Sequence, residues 1–253
     1  MHRPGRDIFW TMLGIAALLL FWEGGARALQ SPIILPGPLG TARRFFAIIT
    51  GKKFIVSLAA TFVRVMAGLF AAVPLGVAAG LACGLNRRAA LFFRPLFAVS
   101  SATPVMAVIL IAFLALGQEK TPVFTAFLMV FPVITANTVE GVRAVDPHYR
   151  ELFSIYRISR TDALRFLYIP AMLRFILGGV RGGLSLGWKV VVASEVLVQP
   201  LRALGSGMQL ARAHLETTEL YAWTLSTVLA AAFSQGLLSL ILRFVERERR
   251  AGG

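Results

Sequence analysis

PHYRELFSIYRISRTDALRFLYIP, Pro147 to Pro170, is the most charged interruption in a chain that otherwise reads as membrane. It carries Arg150, Glu151, Arg157, Arg160, Asp162 and Arg165, interleaved with Leu152, Phe153, Ile155, Tyr156, Leu164, Phe166 and Leu167. The mixture is too polar to cross a bilayer and too apolar for a free linker, so it predicts one or two short amphipathic helices. Held outside the membrane by a span on each side, such a helix is placed to dock into a partner's groove.

The rest of the chain supports that setting. Of 253 residues, 57% are hydrophobic and 15% charged, a combination that points to an integral membrane protein. The net charge of +14 does not point to nucleic acid. The basic residues sit mostly in short loops between apolar runs, as positive-inside topology requires, and form no stripe on a soluble face. The one cysteine, Cys83, lies inside an apolar run, cannot form an intrachain disulfide and reads as a packing residue.

Six apolar segments are long enough for a hydrocarbon core of roughly 30 Å. They are 8–28, 55–85, 96–116, 122–142, 172–198 and 220–244. An all-α six-span bundle forming a single transmembrane domain over 1–253 is the expected fold. The first segment has two readings. A basic start and Ala26-Arg27-Ala28 suit a cleaved signal peptide, whereas Trp10 and Trp22 suit the interfacial anchors of a retained span. After the helix-breaking Leu35-Pro36-Gly37-Pro38, residues 38–53 alternate apolar and basic side chains and predict a helix lying on the membrane.

Polar groups within the spans are the candidate functional residues. Arg64 in the second span either snorkels to the headgroups or forms a structural ion pair. The third holds Ser100, Ser101, Thr103 and Pro104, which either bond back to their own helix or mark a locally opened helix lining a pathway. The fourth holds Pro132, Asn137 and Glu140. The fifth combines Gly178, Gly179, Gly182, Gly183 and Gly187 with Arg181, Lys189 and Glu195. Its small-xxx-small pairs allow a neighbouring backbone to approach closely. Residues 199–219 read as a polar loop.

With both termini inside, the basic residues of the inner segments outnumber those of the outer ones, and 147–170 falls in the cytoplasm.

The stretch also resembles the cytoplasmic loop of ABC importer permeases, which has the form E-A-A, three residues, G, nine residues, I-x-L-P. Glu151 and Leu167-Tyr168-Ile169-Pro170 match at the same spacing. Leu152 and Phe153 replace the alanines, and Arg157 stands at the glycine position. A glycine there permits a tight turn; arginine is expected to demand a helix-compatible backbone or a different turn. From Leu35 onward the chain is similar to permeases of the nitrate, sulfonate and taurine type. The matching features include Arg64 with Gly68, Asn86-Arg87-Arg88, Asn137 with Gly141, Val145-Asp146-Pro147, Ala193-Ser194-Glu195 and, closest of all, FLYIPAMLRFILGGVRGG from Phe166 to Gly183.

That resemblance implies a type I importer in a bacterial inner membrane, with both termini cytoplasmic and a coupling helix between spans four and five. Two permease copies, as a homodimer, would sit on two cytoplasmic ATPases, and an extracytoplasmic binding protein would deliver the solute. ATP and Mg would belong to the ATPases; this chain would carry no cofactor, metal or catalytic residue. Glu151, Ser154, Arg157, Ser159, Arg160, Asp162 and Ala163 would couple to the ATPase, with Arg157 and Arg160 pairing with its acidic groups or remaining solvated.

For the pathway the candidates are Ser101, Thr103, Pro104, Asn137, Arg181, Ser185, Trp188, Lys189 and Glu195. Arg181, Ser185 and Lys189 recur every four residues and share a helix face. Their charge suits a small anion, whereas Trp188 in a cavity would suit an aromatic or heterocyclic solute. The competing reading pairs Arg181 with Glu140 or Glu195 and makes these charges structural.

Other classes fit less well. An intramembrane enzyme would need converging nucleophiles or ligands, but His2, His148 and His214 all lie outside the spans and no H-E-x-x-H, C-x-x-C or G-x-x-x-x-G-K-[ST] occurs. An ATP-independent secondary transporter would be expected to carry interrupted helices in two related halves, and no such repeat is evident.

Overall fold

The computed structural model describes residues 4–251, with side chains for 8–100 and 102–243. Among the described residues the chain is helical throughout, apart from short connections. In order it forms α1 (Pro4–Leu29), α2 (Pro38–Ile49), α3 (Lys52–Leu85), α4 (Arg87–Ala102), α5 (Val105–Arg143), α6 (Pro147–Ile155) and α7 (Arg160–Ala163). A π-helical turn (Leu164–Tyr168) then leads into α8 (Ile169–Val198), followed by α9 (Leu204–Ala213) and α10 (Thr217–Ala251).

Small residues decide how the central helices pack. Along α3, Gly68, Ala72, Gly76, Gly80 and Gly84 form a ridge with four-residue spacing. A Cβ on Gly68 would meet Ala126 Cβ at 2.7 Å, one on Gly80 Thr138 Cβ at 2.5 Å, and one on Gly84 Val142 Cβ at 2.7 Å. The partner numbers rise together, so α3 and the second half of α5 run parallel, nearly backbone to backbone. α8 packs antiparallel on α5: Gly141 abuts Met172, Asn137 abuts Gly179, and Val130 abuts Gly183. Of the paired glycines in α8, Gly179, Gly183 and Gly187 face protein, while a Cβ on Gly182 would meet nothing within 4 Å. This close approach maximises dispersion contacts where lipid supplies no hydrophobic driving force between helices. Val65, Leu69, Val130, Ile134, Leu184, Trp188 and Val191 fill the resulting core.

The other helices pack around this trio. α10 lies against α2, α8 and α9. α1 is almost wholly exposed and is attached near its end, where Trp22 Nε1 donates to the Pro36 carbonyl at 2.9 Å and the Trp22 ring stacks on Tyr221. α2 is shorter than the expected 38–53, because α3 already begins at Lys52.

Among the described residues, five helical stretches are long and apolar enough to cross a membrane: Ile8–Leu29, Lys52–Leu85, Val105–Arg143, Arg160–Val198 and Thr217–Arg243. The apolar run 96–116, for which the sequence left open a helix locally opened at Pro104, is divided in the structure. α4 ends at Thr103, which is held extended (φ −76°, ψ 127°) by the following Pro104. The helix resumes at Val105 and turns sharply at Gly117 (φ 72°, ψ 176°) before continuing to Arg143. Residues 199–219, read as a loop, contain α9, whose Leu204, Met208 and Ala211 are buried.

Candidate functional site

Three groups of residues stand out. The first is the segment between α5 and α8. Asp146 caps α6 by accepting from His148 N at 2.9 Å, and Pro147 occupies the first turn, where a missing N–H costs nothing. Arg150 Nη2 donates to the Val145 carbonyl at 2.6 Å and ties α6 to the end of α5. At its other end α6 closes with Arg157 N to Ser154 O at 3.1 Å and Ile158 N to Phe153 O at 3.1 Å, the paired bonds of a Schellman motif. That motif places its turning residue in the left-handed region, and Arg157 has φ 50°. The expectation that arginine would impose a different turn is therefore corrected: the glycine-type turn forms with arginine in it. Ser159 then caps α7 by accepting from Asp162 N at 3.1 Å.

Neither α6 nor α7 buries a residue. Glu151, Ser154, Arg157, Ser159, Arg160 and Asp162 are exposed, and Ala163 is half-buried. So are large apolar groups: Ile155 is 67% and Tyr156 74% exposed.

The second group is one face of α8. Arg181, Ser185 and Lys189 are all exposed, in line with Gly178 and Gly182. Arg181 makes no ion pair among the described residues, so its expected pairing with Glu140 or Glu195 is not found. Gln235 of α10, which the sequence reading did not single out, donates Nε2 to the Arg181 carbonyl at 3.0 Å.

The remaining pathway candidates are dispersed. Trp188 is 2% exposed and packs on Phe62 within the bundle. Asn137 is half-buried against Gly179, its Nδ2 bonded to the Val133 carbonyl at 2.8 Å. Thr103 bonds back to the Val99 carbonyl at 2.7 Å beside the Pro104 break. The Ser101 side chain lies outside the described residues.

The third group is a buried polar cluster at the opposite end of the bundle from α6. Arg64 Nη1 donates to Glu195 Oε1 at 3.0 Å and to the Arg202 carbonyl at 2.7 Å; its Nη2 donates to Glu119 Oε2 at 2.6 Å. Thr61 Oγ1 lies 2.9 Å from both Glu195 oxygens and accepts from Leu204 N at 3.0 Å. Gly205 N donates to Glu195 Oε2 at 3.2 Å, and Leu201 N to Glu119 Oε1 at 3.2 Å. Glu195 is fully buried, so this candidate belongs to a structural clamp and is absent from the exposed face of α8. Of the two readings of Arg64, the structure takes the ion pair. Glu119 went unremarked because it sits in a short turn; its signal was an acid at a span end level with a buried arginine.

Among the described residues no group of histidine, cysteine and acidic side chains is arranged to hold a metal.

Comparison with known proteins agrees with this architecture. Residues 72–250 match the family model described as binding-protein-dependent transport system inner membrane component. The chain is 30% identical to the taurine transport system permease protein of Escherichia coli (strain K12), over 93% of this chain and 86% of that one. It is 27% identical to the bicarbonate transport system permease protein of Synechococcus elongatus, over 78% and 75% of the two chains. The crystal structure of an amino acid ABC transporter with histidines superposes with a TM-score of 0.62 at 16% identity, covering 81% of this chain and 98% of that one, which speaks to the fold alone. The chain thus belongs to the binding-protein-dependent inner membrane components, the membrane-spanning permeases of ABC transporters.

Proposed function

We propose that this chain is the permease subunit of an ATP-driven importer for a small anion. Two copies would form the pathway, two cytoplasmic ATPases would drive it and an extracytoplasmic binding protein would supply the solute. The observation that carries the reading is the exposed face of α8. Arg181 and Lys189 project from a membrane-spanning helix without ion-pair partners among the described residues. A cation in that position is costly against lipid and favours an aqueous cavity or a second subunit. Gly178 and Gly182 on the same face leave room for close approach. A basic stripe in a water-filled cavity attracts an anion, and the curated relatives named for taurine and bicarbonate fit a solute of that class.

The α6–α7 segment supports the coupling role. None of its residues is fully buried in its own chain, yet it joins two helices that pack tightly on each other. Motion of a docked ATPase would reach the bundle through it. Placing α6 and α7 in the cytoplasm, with both termini, accords with the distribution of basic residues. ATP binding and solute delivery would each favour one orientation of the cavity over the other, as coupling requires.

The test is co-purification from native membranes followed by reconstitution. An ATPase retained by the chain, lost with Ile155→Asp/Tyr156→Asp, and ATP-dependent uptake of taurine, nitrate or bicarbonate in the presence of a binding protein would support the proposal. Uptake by the chain alone without ATP would replace it with a secondary transporter.

A further inference from the structure

Two adjoining cavities open between α3, α4 and α5, and their chemistry differs. The first, 530 Å³, is walled almost wholly by apolar groups including Leu75, Phe93, Leu96, Phe127 and Phe131. The second, 400 Å³, continues it toward the α6 end and is lined by Phe97 and Thr135 together with Arg94, Glu140 and Arg143. Pro132 borders both. None of the three charged groups is in an ion pair among the described residues, although they line one cavity. Two arginines and one glutamate leave a net charge of +1, complementary to a single phosphodiester.

The dimensions identify the occupant. α5 carries Phe127 at one end of the crevice and Arg143 at the other, a distance of about 24 Å at 1.5 Å per residue. One leaflet with its headgroup layer measures about 20–23 Å. The helix between the Gly117 bend and Arg143 has its midpoint close to Val130, so the apolar cavity starts near mid-membrane and the charged one ends at the surface bearing α6. An amphipathic crevice one leaflet long, apolar inside and cationic at its mouth, has the shape of a phospholipid. From this we infer that the α3–α4–α5 crevice binds one anionic phospholipid of that leaflet, its acyl chain along Phe127 and Phe131 and its phosphate between Arg94 and Arg143. Glu140 sits where it can accept a hydrogen bond from a hydroxylated headgroup such as glycerol.

This assignment is independent of the transported solute. α4 gains most from it, because it makes few contacts with α5 inside the chain. A lipid wedged beneath α4 would hold the helix that ends at the Thr103–Pro104 break.

The experiment is native mass spectrometry of the full delipidated chain titrated with phosphatidylglycerol or phosphatidylcholine of identical acyl chains. Phosphatidylglycerol is expected to be retained preferentially, and Arg94→Gln/Arg143→Gln to reduce that preference by about fivefold per arginine. Arg94→Lys/Arg143→Lys should keep it, which separates lost charge from lost folding. Arg43→Gln, a basic change on α2, should also leave it intact. Ala78→Phe, which fills the apolar cavity, should lower retention of both lipids. Equal retention of the two lipids, or a preference that survives Arg94→Gln/Arg143→Gln, would overturn the inference. So would displacement by inorganic phosphate with no effect of Ala78→Phe, which would assign the cations to a free anion.

Discussion

Arg64 on α3 and Glu195 on α8 meet at 3.0 Å inside the bundle, with Glu195 fully buried and Arg64 only 8% exposed. The pair does more than neutralise itself. It is also bonded by Thr61, Glu119, the Arg202 carbonyl and Gly205 N, so one cluster joins α3, α5, α8 and the start of α9. Glu119, whose side chain is 54% exposed, lies beside the Gly117 bend.

Removing Arg64 leaves the Glu195 carboxylate buried without an ionic partner, whereas removing Glu195 leaves Arg64 its bond to Glu119. Arg64→Ala should destabilise the folded chain by about 3–5 kcal/mol, with Glu195→Ala and Arg64→Met/Glu195→Leu each costing less. Thermal unfolding in detergent, followed by size-exclusion chromatography, measures the ordering. A double variant weaker than both singles would contradict the ion-pair account.

Glu119→Gln should be milder, because water reaches that carboxylate. An expected loss of about 1 kcal/mol or less would leave assembly intact. If the Gly117 bend moves during transport, the same variant should alter the uptake rate more than stability, read in proteoliposomes against the thermal midpoint.

Arg157 occupies a left-handed position, which costs an L-residue with a Cβ more than it costs glycine. Arg157→Gly should therefore stabilise the α6–α7 turn by about 1 kcal/mol. Arg157→Val should weaken it, since a β-branched residue tolerates positive φ poorly. Hydrogen exchange over residues 153–160 distinguishes the two.

Gly80 has no room for a side chain. A Cβ there would lie 2.7 Å from the Thr135 carbonyl as well as 2.5 Å from Thr138 Cβ, so Gly80→Val should force α3 and α5 apart at a cost of about 1–3 kcal/mol or more. Gly182→Ala, where nothing lies within 4 Å, should be tolerated by the isolated chain. Loss of a second copy from Gly182→Leu, seen as a fall in mass on chromatography, would place that face in a subunit contact.

Lys189→Gln and Arg181→Gln should lower anion uptake while leaving the thermal midpoint within about 0.5 kcal/mol of the parent, because both side chains are exposed. A large loss of stability with unchanged uptake would make the stripe structural.

Much of this was legible in the residues in order. Hydropathy set the long helices, because a membrane admits little else. Pro147 to Pro170 announced a polar segment between spans, and the glycine spacing of α8 announced close packing. Tertiary structure decided what each polar residue in a span does. Arg181, Lys189 and Glu195 are three ionisable groups along one apolar run, yet helix rotation turns two outward and buries the third against Arg64. No local pattern names that partner, since Arg64 and Glu195 are 131 positions apart. Likewise, α9 looks like a loop until Leu204, Met208 and Ala211 find a surface to cover, and Pro104 breaks a run whose hydropathy is continuous. Composition determines that a chain enters the bilayer; only packing determines which of its charges stay in contact with water.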